Sequence, residues 1–566
     1  MVDIYEQKPW LKFYDKQVPE NLQYPDKTFW EALEPAFKAF PDRAGLHNMG
    51  TPFTYKPLDE MSNRFANLLK KIGLKKGDTV GINLPNIPAY YIGLIGIQKA
   101  GCVVTGVSPL LTAEELNHQL KDSGARVLVT LDALYPRVIK GIDGTQLKAI
   151  VFTGIADYLS PVLATMGKLL KKIPTGKVLP IPGIEIYDFK GVMKSMPATP
   201  VAEKVSMDDT CVMQYTGGTT GLPKGAELTH RNIVWQMTQI QTWVDAKMGD
   251  TVGMTCFPLF HIAGLIICMV MFSKAITQVA VPNPRDQAFI IKAMKKHRPN
   301  IIGNVPTVYL ELMKQPAFKA YDFSDVQFFV SGAAPFPPEY IKDFEKIVGE
   351  NKLVEVYGMT ETSPLMTANP RYGKKVPGAV GIPFPDTVVK IVDPATGEIL
   401  PFGEPGEVIV KGPQVFTKGY FRKPQETANV LRDGWMHTGD MGKMDSDGYL
   451  TIVDRLKDMV NVSGMKVFTR ELDDVIMEHP DIDMGASVGI ADPERPGSEI
   501  VASAIVLKAG VEKSDAQKAK ITEYLRGRVA PYKVPKRIEF FDQLPISAVG
   551  KILKREVRTL MSEKTK

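Results

Sequence analysis

The sequence predicts an α/β protein: a large N-terminal domain of parallel-rich sheets with flanking helices, then a small α+β C-terminal domain. Three observations predict this. Strand and helix patterns alternate through the first third of the chain. The length of 566 residues exceeds one ordinary domain, since roughly 150 residues per domain is the prior. A charged stretch, Asp454-Arg455-Leu456-Lys457-Asp458, stands between two apolar strand patterns and ahead of a compact last unit. The expected division is a domain over 1–453, a linker over 454–459 and a domain over 460–566.

The elements follow in order. Leu58, Met61, Phe65, Leu68 and Ile72 recur at helical spacing, and Gly73 stops that helix. Asp78 to Asn83 reads as a strand, Ala89 to Ala100 as a buried helix, and Cys102 to Thr105 as the next strand. Thr112 with Glu115 three residues on is a capping box, and the strand Arg126 to Thr130 follows. This alternation predicts parallel pairing with helices on the sheet faces. In the last unit, strands are expected at Ala486–Ile490 and Ile500–Leu507, with helices at Arg470–Glu478 and Asp515–Val529.

Over residues 157–173 the rhythm breaks. Leu159, Val162, Leu163, Met166, Leu169, Leu170 and Ile173 mark one helical face, and Lys168, Lys171 and Lys172 lie off it. Such a helix either packs its apolar face on the core or forms a lip toward lipid or a membrane surface.

Composition excludes several classes. Hydrophobic residues are 44% and charged residues 23%, which a wholly disordered chain would not show. The 47 glycines and 43 prolines follow no repeat, which excludes collagen-like character. Lys+Arg at 69 against Asp+Glu at 63 leaves a net charge of +6, too mild to demand nucleic acid but suited to anionic small molecules or an anionic membrane. Cys102, Cys211, Cys256 and Cys268 form no CxxC pair and have apolar neighbours, as structural thiols of a reducing compartment would. The opening MVDIYEQKPW does not read as a signal peptide. The apolar run Ile262 to Phe272 is too short to span a bilayer. A cytoplasmic protein is expected.

The strongest motif is Tyr215-Thr216-Gly217-Gly218-Thr219-Thr220-Gly221-Leu222-Pro223-Lys224-Gly225, with three threonine hydroxyls, four glycines and a lysine in eleven residues. Glycines let backbone N–H groups approach an anion, hydroxyls donate further bonds, and the lysine adds charge. That is the chemistry of a phosphate cradle, without the Walker A spacing. In Val356-Tyr357-Gly358-Met359-Thr360-Glu361 a hydroxyl and a carboxylate share a turn, as a hard dication requires. Asp440, in Trp435-Met436-His437-Thr438-Gly439-Asp440, is an acceptor suited to sugar hydroxyls. Ser331-Gly332-Ala333-Ala334-Pro335 follows a strand, and its small residues permit a flat ring close to the backbone.

In this order, with Asp454-Arg455-Leu456-Lys457-Asp458 and Gly550-Lys551-Ile552-Leu553 after them, these motifs resemble the adenylate-forming superfamily: acyl-CoA synthetases, luciferases and peptide-synthetase adenylation domains. The resemblance covers nearly the whole chain and is nearest to long-chain fatty acid–CoA ligases. It implies ATP, Mg²⁺ and coenzyme A as cofactors and an AMP-forming ligation of a fatty acid to coenzyme A. Medium-chain, branched or aryl acids are the alternative substrates, and a lipid-binding protein without catalysis is the distant one. By the same resemblance, Thr216, Gly217, Gly218, Thr219, Thr220, Gly221 and Lys224 hold phosphates. Gly332, Ala333, Ala334 and Tyr357 take the adenine, Gly358 belongs to the cofactor site, and Thr216, Lys224, His261 and Lys551 are the implied catalytic set. Thr360 and Glu361 belong to the nucleotide site, with Thr216 and Glu361 on the metal. Asp440 holds the ribose with support from Arg455. Lys551 is the adenylation lysine on a mobile C-terminal domain, and Gly464 lets the pantetheine through.

His261, in Phe257-Pro258-Leu259-Phe260-His261, is implied to line and gate the acyl site; alone it would pass as a core histidine. Thr469 stands where relatives often carry proline and is expected to loosen the turn there. Ile546 replaces a frequent lysine and Val549 a frequent serine. A peripheral membrane contact and a homodimer stay open. No GxSxG elbow is present, in keeping with a reaction that needs no protein nucleophile.

Overall fold

In the computed structural model residues 4–563 are described, except 160–163, 166, 168–172, 202, 217–221, 250, 335, 463–464, 493–494, 496–497 and 548–550. The early alternation builds a seven-stranded sheet. Its order is Glu185–Asp188, Ala149–Thr153, Val127–Leu131, Thr79–Asn83, Val103–Gly106, Thr210–Thr216, Lys224–Thr229. Every neighbouring pair is parallel except the last, which is a hairpin. Parallel strands are covered on both faces, so they read as continuous apolar runs. Thr79–Asn83 and Val127–Leu131 are buried at every position. The crossover helix Pro88–Lys99 is buried at every position too. The capping box forms: the Glu115 carboxylate accepts from the Thr112 N–H at 2.8 Å, and Thr112 Oγ1 accepts from the Glu115 N–H at 3.3 Å.

A second, nine-stranded sheet was not visible as a unit in the sequence. Its order is Ile382–Pro383, Thr367–Ala368, Leu353–Tyr357, Phe328–Ser331, Ile301–Asn304, Val252–Thr255, Thr277–Ala280, Ala44–Asn48, Thr51–Thr54. It is parallel from Leu353–Tyr357 to Ala44–Asn48 and antiparallel at both ends. The apolar run becomes the buried helix Ile262–Ser273, packed on the helices Phe29–Ala39 and His230–Trp243 and on the second sheet. Among the described residues, no helix is long and apolar enough to cross a membrane.

A third sheet is antiparallel and has five strands: Val388–Val392, Gly406–Lys411, Leu431–Arg432, Trp435–Met444 and Leu450–Arg455. Asp454 and Arg455 are the last residues of its final strand, so the charged stretch begins inside a sheet. Beyond it, the strands Ile482–Ala491, Glu499–Leu507 and Arg537–Phe541 form a small sheet. Helices Thr469–Met477 and Asp515–Arg526 join an apolar cluster with Val501 and Ile505, and Lys554–Glu563 joins another with Val488 and Ala502. The second helix stops at Arg526, short of the expected Val529, because Gly527 caps it.

The four cysteines are buried and unbridged. Burial pushes the Cys102, Cys256 and Cys268 thiols up to about 12. They are inert, as the sequence implies. The amphipathic segment over 157–173 begins with a 3-10 turn, Ile155–Tyr158, and most of the remainder lies outside the described residues.

Candidate active site

The glycine-rich loop spans the hairpin between Thr210–Thr216 and Lys224–Thr229. Thr216 and Lys224 are direct partners in the ladder, so the loop leaves and returns at one point. Gly217, Gly218, Thr219, Thr220 and Gly221 lie outside the described residues. The base of the loop is anchored from three sides. Tyr215 donates to Asp122 Oδ2 at 2.7 Å, Phe421 N–H to the Gly225 carbonyl at 2.8 Å, and His118 Nε2 lies 3.0 Å from the Pro223 carbonyl.

Glu361 sits in the short turn Thr360–Thr362 and is 4% exposed. The Tyr420 hydroxyl donates to its Oε1 at 2.6 Å. Burial nevertheless holds the Glu361 carboxyl above its ordinary value, since desolvation disfavours the charged form. A bound cation would reverse that. Tyr420 takes one of roughly four lone-pair sites on the carboxylate, and oxygen is the ligand Mg²⁺ prefers. Among the described residues no three His, Cys, Asp or Glu side chains cluster around a metal, so phosphate oxygens would have to complete the shell. The residues present fit a magnesium ion carried with a nucleotide. The strand from Lys224 packs on this turn, and the Lys224 ammonium lies 5.4 Å from the Tyr420 ring centroid. Lys224 is also paired with Glu426.

Asp440 lies inside the strand Trp435–Met444 and is 7% exposed. The Tyr357 hydroxyl donates to its Oδ2 at 2.6 Å, and Arg455 Nε stands 3.3 Å from Oδ1. Asp440 and Arg455 are opposite each other in the ladder, which places the cation where the carboxylate needs it. Gly439 just before it has a φ of +69°, a left-handed conformation that glycine adopts without cost. Gly358 is required for a different reason. A Cβ there would lie 2.0 Å from the Pro364 carbonyl oxygen.

Gly332, Ala333 and Ala334 follow the strand Phe328–Ser331 at the carboxyl end of the second sheet, where α/β proteins bind ligands. Ala333 has a φ of +67°, an uncommon conformation for a non-glycine residue. His261 caps the helix Ile262–Ser273, its Nδ1 accepting from the Ala263 N–H at 3.3 Å. Burial pushes the imidazole down to about 4, so it is neutral near pH 7.

Lys551 belongs to the last unit. Its N–H donates to Ser547 Oγ at 3.0 Å, and its carbonyl accepts from the Ser547 N–H at 2.7 Å. Burial pushes the ammonium down to about 8, and Arg455 adds repulsion while Asp440 and Asp458 act the other way. Lys551 is thus within electrostatic reach of Asp440 and Arg455. Gly464 lies outside the described residues.

The expectation that Thr469 loosens its turn is corrected. Thr469 is fully buried, and both its N–H and its hydroxyl bind the Asp454 carboxylate. A proline could supply neither bond. Sequence reasoning also missed Tyr420 and Glu426. Their local patterns carry no signal, because each acts on a partner far away in the chain.

The chain is similar to known proteins over nearly its whole length. The family model "AMP-binding enzyme" matches residues 33–421, and "AMP-binding enzyme C-terminal domain" matches 471–551. A long-chain-fatty-acid–CoA ligase of Bacillus subtilis is 38% identical, covering 99% of this chain and 98% of that one. One of Salmonella typhimurium is 35% identical over 97% of this chain and 98% of its own. Among solved structures, ATP-bound MatB from Rhodopseudomonas palustris is 26% identical with a TM-score of 0.80, over 95% of this chain and 100% of that one. The anthranilate CoA ligase AuaEII in complex with anthranoyl-AMP, at 24% identity and a TM-score of 0.84, covers 96% of this chain and 98% of its own and shares the fold. The chain belongs to the AMP-binding enzyme family.

Proposed function

We propose that the protein is an ATP-dependent, AMP-forming ligase that joins a long-chain fatty acid to coenzyme A. The observation that carries this reading is the Asp440 carboxylate held between the Tyr357 hydroxyl and Arg455, in a chain similar over its full length to long-chain-fatty-acid–CoA ligases. A carboxylate is a poor acyl donor. Its oxygen attacks the α-phosphorus of ATP, a new O–P bond forms, and the bond to pyrophosphate breaks. The coenzyme A thiol then attacks the acyl carbon, loses its proton to solvent, and expels AMP.

Neither step uses a protein nucleophile, so the chain contributes position and charge. Thr216, the loop from Gly217 to Gly221, and Lys224 hold the phosphates. Gly332, Ala333, Ala334, Tyr357 and Gly358 border the adenine, with Thr360 beside them. Asp440, oriented by Tyr357 and Arg455, binds the ribose hydroxyls. Glu361 and Thr216 would hold Mg²⁺, which neutralises phosphate charge. Lys551 meets the carboxylate and α-phosphate as charge shifts between them. Neutral His261 borders the acyl site. Residues 454–459 are the hinge on which 460–566 turns, so that Gly464 replaces Lys551 for the thiol step.

A long acid is supported by the full-length similarity to long-chain-fatty-acid–CoA ligases; each methylene such a site takes from water would add roughly 0.8 kcal/mol. The lysines beside the apolar face over 157–173 support a peripheral contact with anionic lipid, which added salt would weaken.

The test is pyrophosphate and AMP release with a panel from acetate to oleate and cinnamate, with and without coenzyme A. AMP with a preference for long acids is expected. ADP as the main product would overturn the ligase reading, and a preference below octanoate would overturn the substrate.

A further inference from the structure

Four polar groups join the loop of Lys551 to the strand end at Asp454. Asp454 is 5% exposed. Its Oδ2 accepts from the Thr469 N–H, from Thr469 Oγ1 at 2.9 Å and from the Arg470 N–H at 3.3 Å. Its Oδ1 accepts from the Arg455 N–H at 2.7 Å. The same Thr469 hydroxyl accepts from Lys554 Nζ at 2.5 Å. Lys554 Nζ also lies 2.6 Å from Asp473 Oδ2, and Asp473 is in turn bound by the Ser487 N–H at 2.5 Å. Lys554 opens the helix Lys554–Glu563, just after Lys551 in the chain.

A hydroxyl has one proton to give and lone pairs to accept with, and Thr469 uses both capacities at once. The path is therefore directional: Lys554 donates to Thr469, and Thr469 donates to Asp454. It closes a ring. Arg455, bonded to Asp454 through the backbone, pairs with Asp440 in the sheet, and Lys551 is within electrostatic reach of that pair. Thr469 and Lys554 are themselves assigned no place in the nucleotide site.

We infer that Thr469 and Lys554 are positioning residues for acyl-adenylate formation: by tying Asp454 to the start of the last helix, they set Lys551 against Asp440 and Arg455. The inference rests on the ligase reading above. It deepens that reading by adding two residues that carry no charge to the substrate. Both bonds to Asp454 belong to this one placement of the last unit, so they strengthen it against any other. Lys551 serves acyl-adenylate formation alone, so weakening the tie should slow that step and leave the thiol step intact.

The experiment measures the two half-reactions separately: pyrophosphate release from ATP and a fatty acid, and thioester formation from supplied acyl-adenylate and coenzyme A. Thr469→Pro is the principal variant. Thr469 is the first residue of the helix Thr469–Met477, where proline is tolerated, so both bonds are lost without breaking the helix. Removing these two contacts should slow adenylation roughly tenfold or more, each hydrogen bond being worth a fraction of a decade to a decade. Thioester formation should be unchanged or faster. Thr469→Ser, which keeps the N–H and the hydroxyl, should recover most of the rate. Lys554→Gln, which leaves Thr469 in place, reads the same path if the proline variant does not fold. Equal losses in both half-reactions, or none in either, from folded variants would overturn the inference. Absence of pyrophosphate release by the wild type with every acid would instead overturn the ligase reading, so the two failures are distinct.

Discussion

Asp440 and Lys551 lie within electrostatic reach of each other, yet the chain holds them by different means. Asp440 lies in a ten-residue strand paired on both sides, so backbone hydrogen bonds fix its place. Tyr357 and Arg455 then settle its carboxylate. Lys551 lies in the last unit, whose side-chain ties to the strand Leu450–Arg455 include Thr469 to Asp454, with Lys554 on the Thr469 hydroxyl, and Arg470 to the Ile452 carbonyl. A sheet gives up its register only by local unfolding, which costs much of the stability of the domain. A handful of polar contacts can break and re-form at small net cost, because water replaces them. The difference suits the domain turn proposed above, in which Asp440 stays and Lys551 leaves between two chemical steps.

The comparison can be broken most severely at Lys551. Lys551→Ala should slow acyl-adenylate formation by about 10²–10³, the usual cost of one preorganised charge contact at a reacting centre. Thioester formation from supplied acyl-adenylate should survive. Equal loss in both steps would mean that Lys551 is as permanent a part of the cleft as Asp440.

The pH dependence sharpens the same point. Burial holds the Lys551 ammonium down at about 8. The cation is the working form, so its contribution is present below that value and is lost as pH rises through it. The kcat/KM for adenylation should therefore bend downward near pH 8. In Lys551→Arg the guanidinium stays charged, and the bend should vanish even where the rate is lower. An unchanged bend would assign it to another group.

On the fixed side, Gly358→Ala should act through stability. The added Cβ meets the Pro364 carbonyl and the Leu365 backbone, which cannot swing away as a side chain would. A loss of about 1–3 kcal/mol is expected, seen as a lower Tm. A Tm equal to that of the wild type would show that this turn is softer than its packing implies. The smallest effect is expected from Tyr420→Phe, which removes only the hydroxyl on Glu361. Losing about 1 kcal/mol of orientation should raise the magnesium needed for half-maximal adenylation several-fold, with little change at saturating metal. A change in the thiol step alone would place Tyr420 elsewhere in the mechanism.

Much of the body was legible because local signals and burial agree there. The capping box at Thr112 and Glu115 formed as its spacing implies, since a cap needs only four neighbouring residues. The seven-stranded sheet followed from apolar runs separated by helical patterns. The nine-stranded sheet was not legible as a unit: its strands Ala44–Asn48 and Thr277–Ala280 are distant in sequence, and neither carries a mark of its partner. At the site, Glu361, Asp440 and Lys551 stood out through their motifs. Tyr420 did not, because its role exists only through a hydroxyl meeting a carboxylate from another part of the chain. Thr469 was misjudged as a looser turn, because its worth depends on Asp454 lying within reach.

The sequence by itself determined the elements, the caps, the inert cysteines and the types of group available for phosphate and charge chemistry. These depend on spacing along the chain and on the preferences of single residues, which a linear string records. The tertiary structure decided which distant strands share a sheet, which tyrosine serves which carboxylate, and that Lys551 is set in place through Lys554, Thr469 and Asp454. Those are contacts between residues far apart in sequence, and hydrogen bonds and desolvation act over a few ångströms of space rather than over residue number.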